Sequence, residues 1–110
     1  MTKAKSPKTT VKLLSYTDPG HGWLRVPHRM LKKLGISALI TPYSYMRTDY
    51  AYLEEDQDMT TFILAMDRAG KTVEFVNRNT QRQSRIRNYA SYVDQSPEVV
   101  TRVASVQEQE

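Results

Sequence analysis

The sequence predicts an α+β domain: a mainly antiparallel sheet of about five strands in β-β-α-β-β-α-β order, with two helices packed on one face. Three observations predict it. Segments of β-type residues recur in pairs joined by turn residues. Two other segments carry apolar residues at helical spacing. Each of these follows a strand pair, so the strands can pair as hairpins rather than only through crossovers.

The elements follow in order. The first ten residues, MTKAKSPKTT, are small, polar and lysine-bearing, and read as a flexible basic arm. TVKLLSY opens a first strand, and GWLRV, after the DPGHG turn, reads as a second. PHRMLKKLGI then has the signals of a short helix. Pro27 suits its first turn, and Pro27, Met30, Leu31 and Leu34 share one face. Lys32 and Lys33 suit the negative end of the helix dipole, and Gly35 suits a left-handed residue just past it.

PYSYMRTDYAYLEED reads as a hairpin turning at Thr48 and Asp49. That centre opposes Arg47 to Tyr50, Met46 to Ala51 and Tyr45 to Tyr52. Tyr43, Tyr45, Arg47, Tyr50 and Tyr52 then line one side of the sheet, and Ser44, Met46, Ala51 and Leu53 the other. Asp58 is placed to cap a second helix whose stripe is Met59, Phe62, Ile63 and Met66, and Gly70 ends it. KTVEFVN is a fifth strand. In the basic stretch beyond it, Ile86, Tyr89, Ala90 and Val93 have the spacing of a short helix. The expected organisation is an arm (1–10), a single domain (11–94) and a flexible tail (95–110).

At 110 residues the chain supports one modest core. With 39% hydrophobic and 25% charged residues it has a globular balance, and no apolar run reaches the roughly 20 residues of a membrane span. It contains no cysteine, which removes disulfides, a thiolate nucleophile and cysteine-based zinc sites. A cytoplasmic protein is the natural expectation.

The turn Asp18-Pro19-Gly20-His21 is read as type II, with Pro fixing φ and Gly20 at the position that needs φ > 0. Gly22 can supply a bulge where the next strand starts. His21 with Asp18 is a candidate acid–base pair, but the chain offers no obvious third member of a triad. A metal site shared by His21 and His28 is disfavoured, because five strand residues, roughly 16 Å, separate the turn from Pro27. EEDQD lacks the calcium-loop pattern and reads as acidic residues favoured at a helix N-terminus. No catalytic residue, metal ligand or cofactor is assigned.

Charge is the remaining signal. The net charge is +4 and the sequence pI about 9.4. Lys3, Lys5, Lys8 and Lys12 load the N-terminal end, while Arg78, Arg82, Arg85 and Arg87 fall within ten residues that hold no acid. Such clusters neutralise phosphates, and they also occur as ordinary solubilising surface. The tyrosine face has two readings as well: packing against neighbouring structure, or an open surface for base stacking or protein contact. Pattern alone does not decide. Trp23 and His21 join that face as candidate contact residues.

Together, DPGHGWLRVP, LGI, TPYSYMR, YAYLEED and SRIRNYASYV resemble a family of small proteins encoded by phages, plasmids and related bacterial mobile elements, over about Tyr16 to Val93. The family has no established activity, so the resemblance implies an accessory protein in a bacterial host and carries over no site residue. Two functions follow as expectations. One is a non-catalytic module that binds nucleic acid through the arginine segment and lysine arm. The other is a protein that binds and modulates a host enzyme (defence, replication or transcription) through its tyrosine and arginine surface.

Overall fold

The computed structural model describes residues 9–94; the arm residues 1–8, with Lys3, Lys5 and Lys8, and the tail 95–110 lie outside the described residues. The chain runs β1 (Thr9–Thr17), β2 (Gly22–Pro27), α1 (His28–Lys33), a 3-10 turn (Ser37–Leu39), β3 (Tyr45–Met46), β4 (Tyr50–Glu54), α2 (Asp58–Arg68), β5 (Lys71–Asn79), a second 3-10 turn (Arg85–Asn88) and β6 (Ala90–Ser91). It is an α+β fold with one six-stranded sheet in the order β5-β1-β2-β4-β3-β6.

The sheet is mixed rather than wholly antiparallel. β4 leads through α2 to β5, which crosses to the far edge and runs parallel to β1 over nine residue pairs, Thr9 with Lys71 through Thr17 with Asn79. A helix-long connection is what a parallel crossover needs. The other pairs are antiparallel, and the β3–β4 register, Tyr45 opposite Tyr52 and Met46 opposite Ala51, is the one expected. The short helix expected around residues 86–93 is absent: a single 3-10 turn leads into β6, which pairs with β3. The first strand begins at Thr9, so the last two residues of the expected arm belong to the sheet.

Period-two alternation sorts the strand residues onto two faces. On one, Leu24, Val26, Ala51 and Leu53 meet Leu31 of α1 and Phe62, Ala65 and Met66 of α2, forming the main core. Both helices end as their glycines dictate. Gly35 at φ 74 and Gly70 at φ 77 take the left-handed conformation, and Ile36 N–H reaches back to Leu31 O at 3.0 Å while Ile36 buries into the core. Pro27 stands at the cap of α1, as the last residue of β2, rather than inside its first turn.

The start of α2 differs from expectation. Asp58 is its first helical residue, and its carboxylate is buried against the loop before β3 rather than capping the helix's own amides. Its Oδ2 accepts from Thr41 N (3.0 Å), Thr41 Oγ1 (2.7 Å) and Ser44 Oγ (2.6 Å), pinning the loop before β3 to the helix. Glu54 serves as the cap instead, with Oε1 accepting from Gln57 N at 2.6 Å and Asp58 N at 3.0 Å.

A candidate nucleic-acid interface on the aromatic face

The second sheet face carries Tyr16, Trp23, Arg25, Tyr45, Tyr50 and Tyr52, each placed by strand register. The segment after β5 packs over part of this face. Ile86, the one large aliphatic residue in a polar and basic run, inserts between Trp23 and Tyr52, and all three are buried. Tyr89 lies against Tyr52 with ring centroids 5.1 Å apart. Arginines fill the gaps: Arg25 lies 4.0 Å over Tyr50, Arg47 4.8 Å over Tyr89 and Arg87 5.5 Å over Trp23.

This strap is tied down by Asp18. Its carboxylate is the meeting point of the DPGHG turn and the arginine segment. Oδ1 accepts from Gly20 N (2.9 Å), His21 N (3.0 Å) and Arg87 Nη2 (2.9 Å), and Oδ2 from Ser84 N (2.9 Å) and Arg87 Nε (2.7 Å). The bidentate Arg87 guanidinium is the first cause that holds this carboxyl well below the usual carboxylate range; burial opposes it, and the Ser84, Gly20 and His21 amides add to it. Arg87 in turn is held still more firmly protonated by Asp18.

The turn is therefore not type II. Its closing backbone bond runs from Asp18 N to His21 O, the aspartate side chain takes the amides that follow, and Gly20 does not have a positive φ. The two glycines instead leave room for side-chain tips that pass close by. A Cβ on Gly20 would stand 2.9 Å from Arg87 Nη2, and one on Gly22 2.8 Å from Glu55 Oε1 and 3.3 Å from Thr17 Cγ2. His21 meets Asp18 through its backbone N–H. With five donors on the Asp18 carboxylate, the acid–base pair read from sequence has no carboxylate left to orient an imidazole. His28 is buried at the start of α1, with Nε2 on Arg47 O at 2.9 Å.

Two cavities flank the strap. One, of about 480 Å³, is lined by Tyr16, Tyr52 and Tyr89, by Arg78, Arg82 and Arg85, and by polar groups including Asn79 and Gln83. It brings together three of the four arginines singled out by composition, with aromatic walls between them. The other, of about 440 Å³, has Trp23, Tyr43, Tyr45 and His21 beside Glu54, Asp56 and Arg87.

The remaining candidates are placed as follows. Arg87, the fourth arginine, is committed to Asp18. Trp23 lies beneath it, 2% exposed, so its ring is not a surface contact. Tyr43 is off the strand, in the loop before β3, and 76% exposed at the rim of the second cavity. Lys12 is exposed on β1, opposite Glu74. Tyr52 is buried, and that burial, ahead of the neighbouring tyrosines, raises its phenol above the ordinary value.

Asp18 as the clasp, and Tyr16 and Tyr89 as cavity walls, were missed by reading the sequence. The available signal was the lone Ile86, an aliphatic residue in a polar and basic run that packs against Trp23 and Tyr52. Among the described residues, no group of three or more His, Asp or Glu side chains is arranged to hold a metal ion, and no helix is long and apolar enough to cross a membrane. Compared with protein-family models, characterised proteins and solved structures, the chain matches none.

Proposed function

We propose that this chain is a non-catalytic binding module for single-stranded nucleic acid, with the cavity between β5 and the strap as its central contact. The observation that carries the reading is the convergence of Arg78, Arg82 and Arg85 on a cavity walled by Tyr16, Tyr52 and Tyr89. Guanidinium groups take phosphate, and the half-buried rings of Tyr16 and Tyr89, over a buried Tyr52, offer edges on which bases stack without strong sequence preference. The volume falls in the range of small-ligand pockets, roughly 300–1,000 Å³, enough for one nucleotide unit of a longer strand. The lysine arm, with Lys3, Lys5 and Lys8, precedes β1, and Lys12 is an exposed cation on that strand. A basic arm of this kind adds salt-sensitive, sequence-independent affinity. The resemblance to mobile-element proteins fits an accessory role in the bacterial cytoplasm.

The test is a fluorescence-anisotropy titration with single-stranded and duplex DNA and RNA at about 50 and 200 mM salt. Binding should weaken strongly with salt, with a slope of about 0.7 per neutralised phosphate on a single strand. The Arg82→Ala/Arg85→Ala variant, which leaves Arg78 and the β5 edge intact, should bind more weakly and show a flatter slope. Absence of binding at the lower salt would overturn the reading. The field would then pass to the second function, a modulator of a host protein, which draws on the exposed Tyr43 at the rim of the His21 and Tyr45 cavity.

A further inference from the structure

The sheet has two edges of different character. β6 is two residues long, too short to template another strand. β5 is nine residues long, terminal in the sheet, and free of proline. Among the described residues no strand pairs with its outer side. Long, regular edges of this kind pair with other strands unless they are blocked.

Which backbone groups face outward follows from the ladder. Thr80 N–H donates to Thr17 O, toward β1. Successive residues of a strand turn their amides to opposite sides, so Lys71, Val73, Phe75, Asn77 and Asn79 present theirs away from the sheet. Register with β1 also fixes the side chains. Glu74, Val76 and Arg78 share the face of Lys12, Leu14 and Tyr16, while Val73 and Phe75 share that of Val11 and Leu13.

We infer that β5 is a homodimerisation edge, pairing antiparallel with β5 of a second copy about a two-fold axis through Val76. The choice of a second copy rests on charge complementarity within the strand itself. Glu74 and Arg78 stand symmetrically about Val76, so this register sets Glu74 directly opposite Arg78 of the other copy, twice, around a Val76–Val76 pair. Centring on Glu74 would oppose two carboxylates, and centring on Phe75 would oppose Glu74 to valine. Only the Val76 centre pairs unlike charges on both sides. It also places four of the five outward amides in hydrogen-bonded pairs, Phe75 with Asn77 and Val73 with Asn79, and leaves only Lys71 at the strand start outside the ladder. Because the axis is normal to the sheet, the aromatic faces of the two copies become continuous. Charges alternate across the junction from Lys12 to Glu74 to the other copy's Arg78, which flanks its own Tyr16.

The register supplies its own test. Val76–Val76 is a non-hydrogen-bonded pair, with Cα atoms about 4.5 Å apart, inside the roughly 4.4–6.8 Å span of a disulfide. The chain has no cysteine, so Val76→Cys reports on that contact alone, with Thr72→Cys on the same face as the control. Light scattering on the full chain should give about twice 12.7 kDa. Val76→Cys should form an interchain disulfide at least tenfold faster than Thr72→Cys.

Glu74→Arg and Arg78→Glu should each yield monomer by opposing like charges, and the double exchange should restore the dimer. Asn77→Pro, which removes only an outward amide, should yield a folded monomer by circular dichroism. A wild-type monomer at hundreds of micromolar would overturn the inference, as would equal cysteine rates or a charge exchange without rescue. Because the readout is mass and disulfide formation, it is independent of whether nucleic acid binds.

Discussion

Arg87 and Asp18 meet fork to fork, Nε on Oδ2 at 2.7 Å and Nη2 on Oδ1 at 2.9 Å, although 69 residues separate them in sequence. Through this pair one turn and one strap hold each other in place. Asp18→Asn keeps the shape but removes the charge and turns an amide NH2 toward donors. It should lower the melting temperature by on the order of 10 °C and red-shift emission of the single tryptophan, Trp23, which lies under Arg87. Arg87→Lys, which cannot bind bidentately, should behave similarly.

The same carboxylate sets an acid limit. Its folded pKa lies below the unfolded value of about 3.9, so the unfolded chain binds more protons between the two. The stabilisation is fully present above about pH 4 and is lost as pH falls through the lower folded value. Wild-type melting temperature should drop steeply below pH 4, and Asp18→Asn should be flatter there.

At the alkaline end the sign reverses. Burial is the leading cause raising the phenols of Tyr52 and Tyr92 above their ordinary value. Their neutral forms therefore favour the fold up to about pH 10, and that contribution is lost as pH rises beyond it. Melts between pH 8 and 11.5 should show the fall. Tyr92→Phe should reduce it at a cost of about 1–2 kcal/mol at pH 7, because Tyr92 OH donates to Ser37 O at 2.7 Å.

Ser44→Ala should be costly for so small a change. Ser44 Oγ donates to Asp58 at 2.6 Å and accepts from Glu54 N at 2.9 Å, with no exposed surface. Its loss strands one buried donor and weakens one buried acceptor, an effect of about 2 kcal/mol, readable by urea unfolding. Loosening should concentrate in the Thr41–Ser44 loop, visible as faster amide exchange at Thr41 and Ser44.

Gly20→Ala tests close approach. A Cβ there would stand 2.9 Å from Arg87 Nη2 and must push the guanidinium off its fork with Asp18, so the variant should show part of the Asp18→Asn phenotype, including its tryptophan shift. An unshifted spectrum and melt would mean that the guanidinium moves aside without consequence.

What the sequence made legible was local. The left-handed glycines at 35 and 70 and the hairpin pairing of Tyr45 with Tyr52 depend on residues within a few positions of each other. Pairings across the chain left no such mark. Nothing near KTVEFVN announces that its partner is β1 in parallel, and nothing near Asp18 announces Arg87. Asp58 illustrates a subtler failure: the residue type was right for a helix start, but a second carboxylate, Glu54, took the cap and freed Asp58 to bind Thr41 and Ser44. At the site, composition picked out the arginines. Their division into one clasp and three cavity residues depended on which of them could reach a buried carboxylate.

The parallel ladder of β1 and β5 also governs how the molecule is assembled in time. Both hairpins close short loops and can form early, whereas docking β5 closes one of 62 residues, an entropic cost of about 4 kcal/mol before any constant is added. Contacts that costly to bring together are gained late, after the hairpins and α2 have built a surface to receive them. Side-chain truncations in β5 should therefore accelerate unfolding and leave the folding rate nearly unchanged, while truncations in β2 and β4 slow folding. The strap is anchored beyond β5, so the arginine cavity is expected to form only once β5 has docked, which the same kinetics would show in truncations of Ile86.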